Sequence, residues 1–165
     1  MTTAHLPSCP PVSADGHSQP ALPLAPALVL DTNVVLDWLV FRNPCCQALA
    51  REVALGSVRW LASPAMRCEL AHVISRGVVD RYTTDPSPLW AFWTHHAVEL
   101  ADPPAVDLPQ RLRCTDPDDQ KFIDFALSHR TRWLLSHDKA VLKLAKRALP
   151  LGLIIVTPEG WSASF

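Results

Sequence analysis

Short apolar runs alternate along the chain with longer amphipathic stretches from Ala27 onward, the texture of an α/β sheet with covering helices. Three runs, Ala27–Leu30, Trp133–Leu135 and Leu153–Val156, are apolar at every position. Unbroken apolarity predicts parallel strands buried on both faces, because successive side chains of a strand point to opposite sides. Residues 58–62 (Val-Arg-Trp-Leu-Ala) form a weaker fourth candidate and residues 97–100 (Ala-Val-Glu-Leu) a fifth.

Helix punctuation lies between these runs. Asn43-Pro44 reads as an N-cap with proline in the first helical position, and Gly56 closes that helix. Ser63-Pro64 opens another, carrying Glu69 and ending near Gly77. Asp116-Pro117 opens a third, with Phe122, Phe125 and Ala126 at core spacing. Asp138 caps a fourth through Arg147, and Leu89–His96 is a further helix. There are 27 residues between Leu30 and Val58 and 17 between Leu135 and Leu153, ample for right-handed strand–helix–strand crossovers. The expected architecture is a three-layer α/β/α sandwich around a central parallel sheet. Ligands of such sheets lie beyond the carboxyl ends of the strands, where strand order reverses.

The first 26 residues differ: they hold six of the 16 prolines and no Lys or Arg. They read as a disordered Pro-rich tail (1–26) before one domain (27–165), since that composition buries too little apolar surface to offset chain ordering. No apolar run is long enough to span a membrane. A net charge of −1 excludes a general polybasic coat, so any nucleic-acid contact is a local patch. Residues 111–147 supply one, with nine Lys or Arg against five acids. The five cysteines form no CxxC pair, which suits reduced thiols in a cytoplasm better than a secreted disulfide framework. The seven histidines show no zinc spacing; His95 and His96, being adjacent, are expected on different sides of their helix. Trp38, Trp90 and Trp93 are candidates for an exposed interface.

Two apolar runs end in acids at the edge where a site is expected: Leu30 runs into Asp31, and Leu135-Ser136-His137 into Asp138. Asp116, Asp118 and Asp119 cluster at the start of the intervening helix, and Glu69 lies on the Ser63 helix. Read alone, Asp31 is equally an Asx-type turn, Asp116 and Asp138 are helix caps, and Glu69 is a solvated face residue.

Taken in order, Leu30-Asp31-Thr32-Asn33, Cys68-Glu69-Leu70, Asp116-Pro-Asp-Asp119-Gln-Lys-Phe122 and Leu135-Ser136-His137-Asp138-Lys139 resemble the PIN-domain family, most closely its VapC-like bacterial branch of toxin components. The resemblance covers residues 28 to about 160. It implies a metal-dependent endoribonuclease with a cognate antitoxin and, by the family's habit, a homodimer. It also implies that Asp31, Glu69, Asp119 and Asp138 are catalytic and hold one or two Mg²⁺ or Mn²⁺ ions. Asp116 is an additional ligand candidate, and Asn33 and Ser136 are hydrogen-bonding supports. Lys121, Lys139 and Arg113 are candidate RNA contacts. Hard divalent ions suit such a carboxylate set and invert the local field that would otherwise repel phosphate. The sequence departs from the family at His137, where many members carry Gly; a side chain there would crowd the metal or meet the substrate. That departure leaves a second function in view, a PIN-like module that binds RNA or protein without cleaving. A third, an aspartate-nucleophile phosphatase, wants a second acid where this chain has Asn33.

Overall fold

The computed structural model describes residues 24–104 and 112–162. Five parallel strands form one sheet in the order β3-β2-β1-β4-β5. They are β1 (Ala27–Leu30), β2 (Arg59–Ala62), β3 (Ala97–Glu99), β4 (Trp133–Leu135) and β5 (Ile154–Val156). All five fall on the expected apolar runs. Every residue of β1 and β4 is buried, so both faces of the sheet centre are covered by helices.

Among the described residues, eight α-helices connect and cover the strands: α1 (Thr32–Leu39), α2 (Gln47–Ala54), α3 (Pro64–Ser75), α4 (Ser87–His96), α5 (Gln120–Ser128), α6 (Lys139–Leu142), α7 (Ala145–Ala148) and α8 (Pro158–Ser162). The caps explain several of them. The Ser63 hydroxyl accepts the Met66 amide, with Pro64 in the first turn of α3. Gly56 and Gly77 follow α2 and α3 with φ of +68° and +76°, the left-handed conformation that ends helices and costs a glycine little.

Three expectations are corrected. Helix α1 has no counterpart among the expected elements: Asp31 leaves β1 and at once caps a helix, its Oδ1 accepting the Asn33 amide at 3.4 Å. Helix α5 starts at Gln120, not at Asp116-Pro117. The Asp116 side chain instead accepts the Asp118 amide (2.9 Å), closing a turn that precedes the helix. The helix expected from Asp138 to Arg147 is split, because the Leu144 amide reaches back only three residues, to Val141 (3.0 Å), which breaks the α-helical ladder.

The suspected aromatic interface is core. Trp38 and Trp93 are buried and Trp90 half-buried. Trp60 on β2 stands between Trp38 and Trp93, with ring centroids 5.8 and 4.8 Å away. Their spacing along the helices marked an apolar face, and the sheet supplied its partner. Just before β1, the backbone amide and Nε of Arg59 donate to the carbonyls of Pro26 and Ala25, both at 2.9 Å. Residues 1–23 of the expected tail, and Arg111 of the basic stretch, lie outside the described residues. Among the described residues no helix is long and apolar enough to cross a membrane.

Candidate functional site

From β1 the chain proceeds outward on one side to β2 and β3, and on β1's other side stand β4 and β5. Strand order therefore reverses between β1 and β4, where a parallel sheet opens a crevice at its carboxyl edge. The backbone stitches this crevice together: the Asp31 amide donates to the Leu135 carbonyl at 3.0 Å.

Asp31 is buried at the tip of β1. Ser136, buried at the tip of β4, donates from its hydroxyl to Asp31 Oδ2 at 2.6 Å. The same hydroxyl oxygen accepts the Asp138 amide at 2.9 Å. Asp138 caps α6, its Oδ1 receiving the Ala140 amide at 2.5 Å. Glu69, on α3, is fixed from both sides. Its Oε1 accepts the Thr32 hydroxyl at 2.7 Å, and its Oε2 pairs with the Lys121 ammonium. Asp119 sits immediately before α5 without making a capping bond; its Oδ2 is buried and has no hydrogen-bond partner.

These carboxylates lie in one electrostatic field. Burial pushes the Asp31 carboxyl above its ordinary value; hydrogen bonds from Ser136 and Asn33 oppose this, and the charges of Glu69 and Asp138 add to it. The Asp119 carboxyl is pushed up to about 7, first by burial and then by the negative charges of Asp31, Asp138, Asp116 and Glu69. Four acids from four elements therefore lie within electrostatic reach of one another, with Asp116, exposed on its turn, in the same field; among the described residues no three of these acids bring ligand oxygens within 4.8 Å of one another.

The supporting residues fall unevenly. Ser136 bonds Asp31 by its side chain, whereas Asn33 does so through its backbone amide and is itself exposed. Lys139 and Arg113 are exposed beside the acids in sequence. Lys121 is half-buried, occupied by Glu69 and by the Asp118 carbonyl. The basic stretch is divided by the fold: Arg130 and Arg132 precede β4 and so stand at the opposite end of the strand from Asp138.

His137 does not turn to the acids. Its Nε2 lies 3.0 Å from Asp37 Oδ2 on α1. Sequence spacing also missed Thr32 and Gln120. The Gln120 amide nitrogen donates to Leu112 and Asp124 and its oxygen accepts the Cys114 amide, each at 2.8 Å, tethering the segment that delivers Asp119. Contrary to expectation, the rings of His95 and His96 meet edge to face at 4.6 Å. A separate cavity of about 470 Å³, lined by Leu39, Phe41, Ile74, Val79, Tyr82 and Leu89, lies at the far end of α1 from Asp31.

A parallel five-stranded sheet with acids at its switch point defines a class, and comparison with known proteins agrees. The sequence pattern of the PIN domain matches residues 27–140, and the chain belongs to the PIN domain family. Among solved structures it is similar to a chain from "Crystal structure of VapBC2 from Rickettsia felis bound to a DNA fragment from their promoter". The TM-score is 0.54 at 16% identity, with 78% of this chain and 96% of that chain covered. That likeness is one of fold. Among curated proteins none matches.

Proposed function

We propose that this chain is a metal-dependent endoribonuclease that hydrolyses RNA phosphodiester bonds, acting as the toxin of a toxin–antitoxin pair. The observation that carries the reading is the buried, unpartnered Oδ2 of Asp119 among like charges. A carboxylate left so is costly in a protein, and a hard divalent cation relieves both the missing partner and the repulsion. Asp31, Glu69, Asp119 and Asp138 are oxygen donors of the kind Mg²⁺ and Mn²⁺ prefer, with Asp116 within their electrostatic reach. When bound there, such an ion would supply neutralisation of the scissile phosphate and a more acidic, more nucleophilic water.

The chain's own residues do the remaining work. Ser136 holds one oxygen of Asp31 and, through the Asp138 amide, sets two acids relative to each other. Thr32 fixes Glu69. Lys121 pairs with Glu69, and its ammonium would be available to phosphate if a cation took that place. Lys139 and Arg113, exposed, offer further phosphate contacts. The antitoxin partner is supported by the likeness to a chain of a VapBC2 complex; a homodimer and residence in a bacterial cytoplasm belong to the same proposal.

A second reading, a PIN-fold module that binds RNA or protein without cleaving it, rests on the Lys121–Glu69 ion pair, which gives the acids a protein cation. One experiment separates the two. The purified chain is incubated with a mixed labelled RNA pool in Mn²⁺ or Mg²⁺, with and without chelator, beside Asp31→Asn. Discrete cleavage lost in both controls supports the nuclease. RNA retention without cleavage or any effect of metal on melting supports the module.

A further inference from the structure

Beside the acids, a second group of donor atoms comes together from separate elements. The Asp37 carboxylate, the Cys45 thiol and a His137 ring nitrogen lie within 4.8 Å of one another, all three residues half-buried. Asp37 is on α1. Cys45 belongs to the 3₁₀ turn Pro44–Cys46, which Asn43 opens by accepting the Cys45 amide at 3.2 Å. The same Asn43 side chain donates to Asp37 Oδ2 at 3.4 Å, bracing both donors. His137 is held by its neighbours, since Ser136 is tied to Asp31 and Asp138 caps α6. Glu159, exposed near the start of α8, adds its negative charge to the surroundings of the Cys45 thiol.

The imidazole supplies the telling detail. His137 Nε2 is buried and makes no hydrogen bond, although Asp37 Oδ2 is only 3.0 Å away. The two atoms are neighbours whose bonding directions miss each other, as donors converging on a common point would be. Around a tetrahedral ion with bonds of about 2.0 to 2.3 Å, adjacent ligand atoms stand roughly 3.3 to 3.7 Å apart, a spacing this cluster reaches by small side-chain movements. The donor set also differs in kind from the acids at the switch point. Thiolate and imidazole favour Zn²⁺ over Mg²⁺ or Mn²⁺, whereas an all-carboxylate set favours the harder ions.

We infer that Asp37, Cys45 and His137 form a separate binding site for Zn²⁺ or a like borderline cation. An ion there pins residue 137 between Ser136 and Asp138, and so fixes the loop that carries Asp138 to the acid pocket. The site stands whether or not the chain cleaves RNA.

The test uses the full chain, reduced and stripped of metal, titrated with Zn²⁺ in excess Mg²⁺ and then with Co²⁺ as a spectroscopic probe. The wild type is expected to bind Zn²⁺ stoichiometrically and to show a sulfur-to-cobalt charge-transfer absorption. Asp31→Asn and Cys46→Ser keep that absorption. Cys45→Ser abolishes it and weakens Zn²⁺ by more than the roughly 10–100-fold that losing an outer-shell partner costs. His137→Asn, which leaves both thiols in place, weakens Zn²⁺ by a similar factor and keeps the test decisive should Cys45→Ser fold poorly. Absence of the absorption in the wild type, its survival in Cys45→Ser, its loss in Asp31→Asn, or unchanged Zn²⁺ affinity in His137→Asn would each overturn the assignment.

Discussion

The Ser136 hydroxyl donates to Asp31 Oδ2 at 2.6 Å, joining residues 105 apart in sequence across the tips of β4 and β1. Both groups are buried, so the bond carries more weight than a surface contact. Ser136→Ala leaves a buried carboxylate oxygen short of a partner and the Asp138 amide without its acceptor. The expected cost is about 1–3 kcal/mol, read as a lower melting temperature. The hydrogen bond also holds the Asp31 carboxyl down against the effect of burial. Its loss therefore shifts any activity that needs ionised Asp31 to higher pH. A pH–rate profile that does not move in Ser136→Ala would remove Ser136 from the site.

Asp31→Asn should keep the fold, because the amide oxygen still accepts from Ser136. With chelator present, the variant should melt at or above the wild type, since one member of a mutually repelling set is gone. Each kcal/mol relieved corresponds to about 2–4 °C in a chain of this size. Metal-dependent cleavage should fall below detection, and the stabilisation of the wild type by Mn²⁺ should vanish. A clean preparation of Asp31→Asn with substantial activity would rule out the proposed role.

Asp119 makes the metal-free chain sensitive to pH. Its carboxyl titrates at about 7 when folded, against an ordinary 3.8. Between those values the folded chain holds a proton that the unfolded chain has released. This group's contribution is thus intact in acid and is lost as pH rises through 7. In chelator, this group should make melting temperature decline from about pH 4 to pH 7 and level off above, and Asp119→Asn should flatten that slope. Mn²⁺ must displace the same proton, so its affinity should rise by roughly tenfold per pH unit below 7 and level off above it. Isothermal titration at several pH values measures this directly.

Thr32 and Lys121 hold Glu69 from opposite sides, and the two contacts should part under mutation. Thr32→Val keeps the shape of a buried side chain but removes the donor, costing about 1 kcal/mol. It should weaken Mn²⁺ by roughly 10–100-fold, the usual effect of losing a ligand's hydrogen-bond partner. Lys121→Met removes the competing cation, so Mn²⁺ should bind more tightly while RNA binds less well. Tighter RNA binding in Lys121→Met would contradict a phosphate role for that ammonium.

What the sequence determined by itself were the features written in local physics. Strands buried on both faces must be apolar at every position, so β1 and β4 were legible as runs; β5 was found by the same apolarity, but it is an edge strand with Ile154 and Val156 only half-buried. Ser63-Pro64 announced its helix because caps and prolines act within a turn, whereas Asn43-Pro44 marked a 3₁₀ turn, Pro44–Cys46, that leads into α2 only at Gln47. The acids at strand and helix ends were visible for the same reason, as was the family pattern that orders them. Helix α1 escaped because Asp31, read as a turn, is at once the strand's end and the helix's cap. Only the tertiary structure decided which polar atoms share a volume. It joined Ser136 to Asp31 and Thr32 to Glu69, left an oxygen of Asp119 unpartnered, sent the Trp residues inward against Trp60, and turned His137 to Asp37 and Cys45. Those relations depend on parallel strands lying side by side with their carboxyl ends aligned, and hydrogen bonds, charge repulsion and metal coordination act over a few ångströms of space whatever the separation along the chain.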